Sequence, residues 1–304
     1  MDSLKLIFPF LCIMQWKTNK LFDLRKQYMQ ELLAYYDQRE AESLLTILVQ
    51  YFFGLSQSGL ITNADFRLSE SEMLQLHFAV KDLKKYRPVQ YIIGETEFFD
   101  LKIKVNKAVL IPRPETEELV QLIINNEKQR DLNILDIGTG SGCIAIALKK
   151  NIPFAQLTGI DISDAAIELA SENAENNKLN IAFAELNILD QRQWNLLGQF
   201  DIIVSNPPYV TNAEKNRMDN NVLNYEPHQA LFVADNDALV FYKAIFHFSE
   251  NHLRQNGKIY FEINEEKGNE IVELAKSKNF VNVKLHKDIN GKNRFVSGSK
   301  VSVI

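Results

Sequence analysis

The chain has 304 residues, 46% of them hydrophobic and 24% charged, which suffices for a sizeable core and two domains of a soluble globular protein. A formal net charge of −5 gives no support to a protein that must hold a bare nucleic-acid backbone unaided. The two cysteines, Cys12 and Cys143, exclude a disulfide framework and fit a reducing, cytoplasmic compartment, while the five histidines show no metal-ligand spacing with them, so no metal is expected.

Leu4 to Met14 is apolar like the core of a signal peptide, but it is far shorter than a membrane span and lacks a small-residue cleavage site. Residues 1–16 are therefore expected to be a dispensable extension, with Met14 a candidate start and no membrane partner. From Lys17, the residues Leu21, Leu24, Tyr28, Leu32 and Tyr36 recur at helical spacing. Asp37 and Glu40 form a capping-box pattern ahead of Leu44, Leu45, Leu48, Tyr51 and Phe52, and Gly54 closes that helix; Ser69 and Glu72 repeat the pattern ahead of Met73, Leu76, Val80 and Leu83. Residues 17–87 are expected to be a small helical bundle without a polar cluster suited to chemistry, a structural or partner-docking domain.

Arg87-Pro88 ends the bundle, since a residue before proline is pushed out of the helical region. Alternation from Phe99 to Val105, then Asn106-Lys107 and the apolar run Ala108 to Ile111, predicts a β-hairpin that makes residues 88–112 a linker. Pro112-Arg113-Pro114-Glu115-Thr116-Glu117 opens the domain over 113–304 with a helix, its prolines suiting the first turn and its carboxylates the positive end.

An apolar strand from Asn133 then runs through Asp136 into Gly138-Thr139-Gly140-Ser141-Gly142 and a helix of small residues. This lets a ligand approach the backbone at a helix N-terminus. The spacing is Gly-x-Gly-x-Gly and differs from the dinucleotide fingerprint, position 143 holding Cys. A second strand ends at Asp161, about 20 residues on, where a ribose diol would be gripped. Strands over Ile181 to Leu186, Phe200 to Val204 and Lys258 to Ile263, helices from Ala165 and Ala238, and a terminal antiparallel pair continue an α/β order, with little regular pattern between 209 and 237.

The strand ending at Val204 delivers Ser205-Asn206-Pro207-Pro208-Tyr209. Two prolines fix φ and remove two donors, leaving free carbonyls, an amide side chain and an aromatic ring at the carboxyl end of a strand, the edge where open α/β sheets bind ligands. Such a turn can grip a planar NH2 group, whether of a carboxamide or of a base.

With these motifs the chain from about residue 18 onward resembles the bacterial release factor glutamine methyltransferase (PrmC/HemK) family. The likeness rests on Pro88 to Gly94, Ile111 to Glu117, Asp136 to Gly142, Asn206 to Tyr209, Glu226-Pro227, Asp288, Gly291 and Arg294. The Asn-Pro-Pro-Tyr turn is shared with amino methyltransferases acting on nucleic-acid bases; the first two blocks are specific to the family. The resemblance implies a Rossmann-like, mostly parallel, seven-stranded class I sheet that binds S-adenosylmethionine, preceded by a helical domain that docks the protein substrate. It implies methyl transfer to the N5 side-chain nitrogen of the glutamine in the Gly-Gly-Gln motif of class 1 peptide chain release factors, with no direct nucleic-acid partner.

By that likeness Gly138, Thr139, Gly140, Ser141 and Gly142 pass under the methionine part of the cofactor, with Asp136 in the same binding set. Asp161 binds the ribose hydroxyls, and Asn187 and Ile188 stand beside the adenine. Asn206, Pro207, Pro208 and Tyr209 bind the glutamine, Asn206 also reaching the cofactor and Phe98 lining the pocket. Asn206, Pro207 and Tyr209 are the expected catalytic residues. Two departures stand out: Asn187 where an acid is usual, and Asp100 where a glycine is common.

Overall fold

The computed structural model describes residues 16–63, 65–127 and 131–301; the apolar segment Leu4 to Met14 lies outside them. The chain divides into two compact units, the first closing at Ile93 and the second opening at Gly94.

The first unit holds α1 (Leu21–Leu32), α2 (Gln38–Phe53), α3 (Gln57–Thr62), α4 (Glu70–Leu83) and α5 (Val89–Ile93). Its ends are capped as their sequences predict: the Asp37 carboxylate accepts the Glu40 N–H at 2.9 Å, and Ser69 and Glu72 close a reciprocal capping box. Leu21, Leu24, Tyr28, Leu32, Leu45, Leu48, Leu76, Val80 and Leu83 meet in one core. Tyr36, Leu44, Phe52 and Met73 pack against it half-buried; Tyr36 lies past the end of α1, donating its hydroxyl to the Leu83 carbonyl at 2.6 Å. One expected stripe member departs from it. Tyr51 is 44% exposed, because α2 turns Ala41 and Val49 inward instead.

The second unit opens with a hairpin that differs from the expected one. Its strands are β1 (Glu95–Phe98) and β2 (Leu101–Lys104), paired antiparallel with Phe98 opposite Leu101. The turn is Phe99-Asp100, at φ 52° and 60°, so both central residues take the left-handed conformation that a two-residue hairpin of matching twist requires. Asn106-Lys107 is not the hairpin turn, and Ala108 to Ile111 is not a strand.

There follow α6 (Pro114–Asn126), with proline at its first turn, β3 (Asn133–Ile137), α7 (Cys143–Asn151), β4 (Gln156–Asp161), α8 (Asp164–Asn176), β5 (Ala182–Glu185) and β6 (Phe200–Ser205). The stretch expected to be irregular breaks into β7 (Val210–Thr211), α9 (Asn220–Tyr225), β8 (Phe232–Val233) and single 3-10 turns, with β7 and β8 paired in parallel. Then come α10 (Val240–His252), β9 (Leu253–Glu262), α11 (Gly268–Ser277), β10 (Phe280–Lys287) and β11 (Asn293–Lys300).

Seven strands form one sheet in the order β10-β11-β9-β6-β3-β4-β5. The pairs β9-β6, β6-β3, β3-β4 and β4-β5 are parallel, and β11 runs antiparallel to both of its neighbours. The central strands read as near-continuous apolar runs because helices cover both faces. Leu135, Ile203, Ile259 and Phe261 pack with Tyr242, Ile245 and Phe246 of α10 and Ile271 of α11. From β3 the chain winds outward to β4 and β5, then returns to β6 on the other side of β3. This reversal opens a crevice at the carboxyl ends of β3 and β6. No helix among the described residues is long and apolar enough to cross a membrane.

Candidate active site

A cavity of about 220 Å³ occupies that crevice. Its floor comes from the segments that leave β3, β4, β5 and β6, and its wall from Ala108 to Leu110, Pro112, Arg113 and Thr116. Gln229, Ala230 and Phe241 complete it. The run expected as a second hairpin strand is thus part of the cavity wall.

The glycine loop sits between β3 and α7. The Gly138 and Thr139 N–H groups both donate to the Ile160 carbonyl, at 2.8 and 2.9 Å, binding the loop to the end of β4. Gly138 and Gly140 take φ of +72° and +55°, and a Cβ at either position would meet nothing within 4 Å. The backbone there is open to close approach, in a conformation other residues reach only at a cost of about 1–2 kcal/mol. Ser141 lines the cavity with a buried hydroxyl oxygen that has no hydrogen-bond partner among the described residues. An open glycine cradle, an unsatisfied hydroxyl and an acid at the end of β4 suit a ligand with a polar amino-acid end and a ribose. The donor set therefore fits S-adenosylmethionine.

Asp161 lines the cavity and braces the loop. Its Oδ2 accepts from Gly140 N–H at 2.9 Å and its Oδ1 from Ser163 N–H at 3.0 Å, and with the Ile162 N–H as a third donor the carboxylate still keeps acceptor capacity for a hydroxyl. Burial raises its pKa against these N–H donors. Asp136 lies fully buried behind the loop, accepting the Thr139 hydroxyl at 2.6 Å through Oδ2. Its Oδ1 makes no hydrogen bond within normal limits, although the Ala145 N–H in the first turn of α7 still favours the charged form. Burial outweighs both influences and pushes the Asp136 pKa up to about 7. Cys143 also faces the cavity, its thiol pushed up to about 12 by burial and so unreactive.

At the far end, the Asn187 side-chain oxygen accepts the Leu189 N–H at 2.9 Å, which leaves its NH2 as the group available to the cavity. Ile188 lines the same wall.

At the end of β6 the Ser205 hydroxyl donates to the Ile137 carbonyl at 2.7 Å, tying the Asn-Pro-Pro-Tyr turn to the glycine loop's own strand. Asn206, Pro207 and Pro208 line the cavity. The Asn206 NH2 donates to Thr116 Oγ1 at 3.2 Å; the Thr116 hydroxyl donates to Glu262 Oε2 at 2.7 Å; the Tyr209 hydroxyl donates to Glu262 Oε1 at 3.2 Å. Burial raises the Glu262 pKa, opposed by Thr116, the Arg294 guanidinium and the Tyr209 hydroxyl. Burial likewise raises that of Tyr209.

The structure thus brings Gly138, Thr139, Gly140, Ser141, Asp161, Asn187, Ile188, Asn206, Pro207 and Pro208 to one cavity. Asp136, Gly142, Tyr209 and Phe98 do not line it. Asp136 supports Thr139, which does; Tyr209 bonds Glu262 behind Thr116, Gly142 packs against Ala170 and Phe183, and Phe98 is buried in the hairpin. Among the described residues no cluster of His, Cys, Asp and Glu could hold a metal ion.

Sequence reasoning missed Glu262. Its signal was an acid closing an apolar strand, the pattern that marks Asp161. It also missed Asn173, which is fully buried in α8. The Asn173 amide accepts the Lys104 N–H at 2.7 Å and donates to the Lys104 and Ser141 carbonyls at 3.0 and 2.9 Å, so the hairpin and the glycine loop share one anchor. Glu226 entered only as part of a motif. Buried, it accepts from Arg113 at 2.6 Å and from the Ile111 N–H at 3.2 Å, holding the segment after α9 against the cavity wall.

Comparison with known proteins agrees with this geometry. The PrmC N-terminal domain family matches residues 23–94, and the Methyltransferase small domain family matches residues 115–231. A release factor glutamine methyltransferase of Flavobacterium psychrophilum is 48% identical over 276 residues, 90% of this chain and 96% of its own length. One of Bacteroides thetaiotaomicron is 38% identical, over 93% of this chain and all of its own. A crystal structure of a methyltransferase from Pyrococcus furiosus superposes with a TM-score of 0.51 at 19% identity, covering 77% of this chain and 100% of that one, which supports the shared class I fold. A cofactor cradle at the reversal of the sheet, joined to relatives matched along nearly their whole length, makes the chain an S-adenosylmethionine-dependent methyltransferase that belongs to the release factor glutamine methyltransferase family.

Proposed function

We propose that this enzyme methylates the N5 side-chain nitrogen of the glutamine in the Gly-Gly-Gln motif of class 1 peptide chain release factors, modulating translation termination. The observation that carries the reading is the Asn206 amide, whose NH2 is taken by Thr116, so that its carbonyl oxygen is the group left for a substrate NH2. Among the described residues no hydrogen bond reaches the Pro207 carbonyl, a second acceptor on the same cavity wall.

A carboxamide nitrogen is a poor nucleophile because its lone pair is delocalised into its own carbonyl. Two acceptors gripping its two hydrogens hold the nitrogen in place and favour localising the lone pair on one side. When bound, S-adenosylmethionine supplies a methyl carbon made electrophilic by the positive sulfonium. Positioning is then the main catalytic contribution, and no histidine base is needed, since the amide turns acidic only as the new bond forms. Tyr209 serves this arrangement from behind, through its bond to Glu262. Gly138, Thr139, Gly140, Ser141, Asp161, Asn187 and Ile188 would hold the cofactor, with Asp136 and Gly142 shaping the glycine loop from behind. The reading carries a cytoplasmic location with it, where release factors act, and neither a nucleic-acid nor a membrane partner.

The test is incubation with labelled S-adenosylmethionine and, separately, release factor and ribosomal RNA. Label is expected on the release factor glutamine, with Asn206→Ala lowering kcat by on the order of 100-fold or more. Label on RNA and never on the release factor would instead make the chain an amino methyltransferase of nucleic acid using the same turn.

A further inference from the structure

Thr116 and Glu262 come from different elements, the first turn of α6 and the last residue of β9, and meet behind the Asn-Pro-Pro-Tyr turn although they stand 146 positions apart in sequence. Both are nearly buried, at 3% and 2% exposure, so what their hydrogens do is set by neighbours and not by water.

A threonine hydroxyl has one proton to give and lone pairs to receive with. Glu262 accepts from two hydroxyls, Thr116 at Oε2 and Tyr209 at Oε1, so the geometry makes it the acceptor of both bonds; these donors and the positive Arg294 of β11 favour its charged form against the burial that raises its pKa. With the proton of Thr116 committed to Glu262, the Thr116 oxygen can only accept. The group that reaches it is the Asn206 side chain, at 3.2 Å. Of the two ends of that amide only the NH2 can donate, so the carbonyl end is turned to the remaining side.

We propose that Thr116 and Glu262 are the positioning residues of this active site: through one directed chain of hydrogen bonds they fix which end of the Asn206 amide faces the methyl acceptor. The inference rests on the reading that Asn206 receives a substrate NH2. Without the chain, the amide can turn its own NH2 toward the incoming NH2, donor against donor, and the grip fails. Tyr209 and Arg294 belong to the same device at one remove. Tyr209 supplies the second hydroxyl on Glu262, and Arg294, which also donates to Asp288 at 3.3 Å, supplies the positive charge beside it.

The experiment uses the full chain and three variants. Thr116→Val keeps the shape and removes both hydrogen bonds; Thr116→Ser keeps the hydroxyl; Asn206→Ala removes the amide. Thr116→Val is expected to lower kcat by on the order of 10- to 100-fold, with the dissociation constant for S-adenosylmethionine, measured by calorimetry, changed less than about twofold. Thr116→Ser is expected to recover most of that loss, a rescue that a purely volume-filling role would not give.

A second measurement does not depend on turnover. In wild-type protein labelled with nitrogen-15, one Asn206 side-chain amide proton should show a nuclear Overhauser contact to the Thr116 methyl group. Absence of that contact with the resonances assigned means that the amide is turned the other way, and overturns the proposal even if Thr116→Val does not fold. Equally, Thr116→Val with wild-type kcat while Asn206→Ala is inactive would overturn it. If the methyl acceptor proves to be a base amine and not a glutamine, the Thr116 effects are still expected on that acceptor, so failure of the substrate assignment and failure of the positioning chain read out separately.

Discussion

The carboxyl group of Asp136 is fully buried, and its pKa stands near 7 where an unfolded aspartate titrates near 4. The folded state therefore binds this proton more tightly than the unfolded chain does. The stability it contributes is fully present below about pH 4, is lost as pH rises toward about 7, and stays lost above that. The loss attributable to Asp136 is on the order of 3 kcal/mol between those limits. Asp136→Asn cannot ionise, so its unfolding midpoint in denaturant should fall less between pH 5 and pH 8 than that of the wild type; equal slopes would show that Asp136 does not carry the effect. Single residues differed sharply in how readable they were. Asp161 declared itself because a glycine loop stands at a known distance before it. Glu262 has no such companion in sequence. Its partners Thr116, Tyr209 and Arg294 are brought to it only by the sheet, so the same strand-closing acid that signalled a site in β4 went unread in β9.

Elements were legible where burial sets their pattern. The apolar runs of β3, β6 and β9 and the capped, striped helices α2 and α4 follow from exclusion of water on one side or two, which the sequence states directly. The hairpin of β1 and β2 departs from its expected position for a local reason. Its turn is made by Phe99-Asp100, with no glycine to mark it, and alternation runs past the turn as though the strand continued. Both residues hold positive φ, which a side chain tolerates only at a cost. Asp100→Gly removes that cost at an exposed position while leaving the Phe98-Leu101 register intact. It is expected to stabilise the protein by about 0.5–1 kcal/mol, part of the gain being offset by the added freedom of the unfolded chain. A denaturant midpoint unchanged or lower in Asp100→Gly would mean that Asp100 makes a compensating contact in the turn.

At the scale of the molecule, the candidate site falls entirely within one of the two compact units. All residues that line the cavity, from Ala108 to Phe241, lie in the unit that opens at Gly94, as do Glu262, Arg294 and Asn173 behind them. That unit has its own core around Leu135, Ile203 and Phe246, and the helical unit has another around Leu24, Leu45 and Val80. A domain with its own core and an undivided site should keep both when separated. A fragment of residues 94–304 is accordingly expected to fold cooperatively and to bind S-adenosylmethionine within about threefold of the affinity of the full chain, measured by calorimetry. Its turnover on a release factor should nevertheless fall, if the helical unit docks that substrate as the family resemblance implies, and the fall should appear in KM more than in kcat because the catalytic groups are all retained. A fragment that folds but does not bind the cofactor would show instead that the helical unit shapes the cavity from outside it.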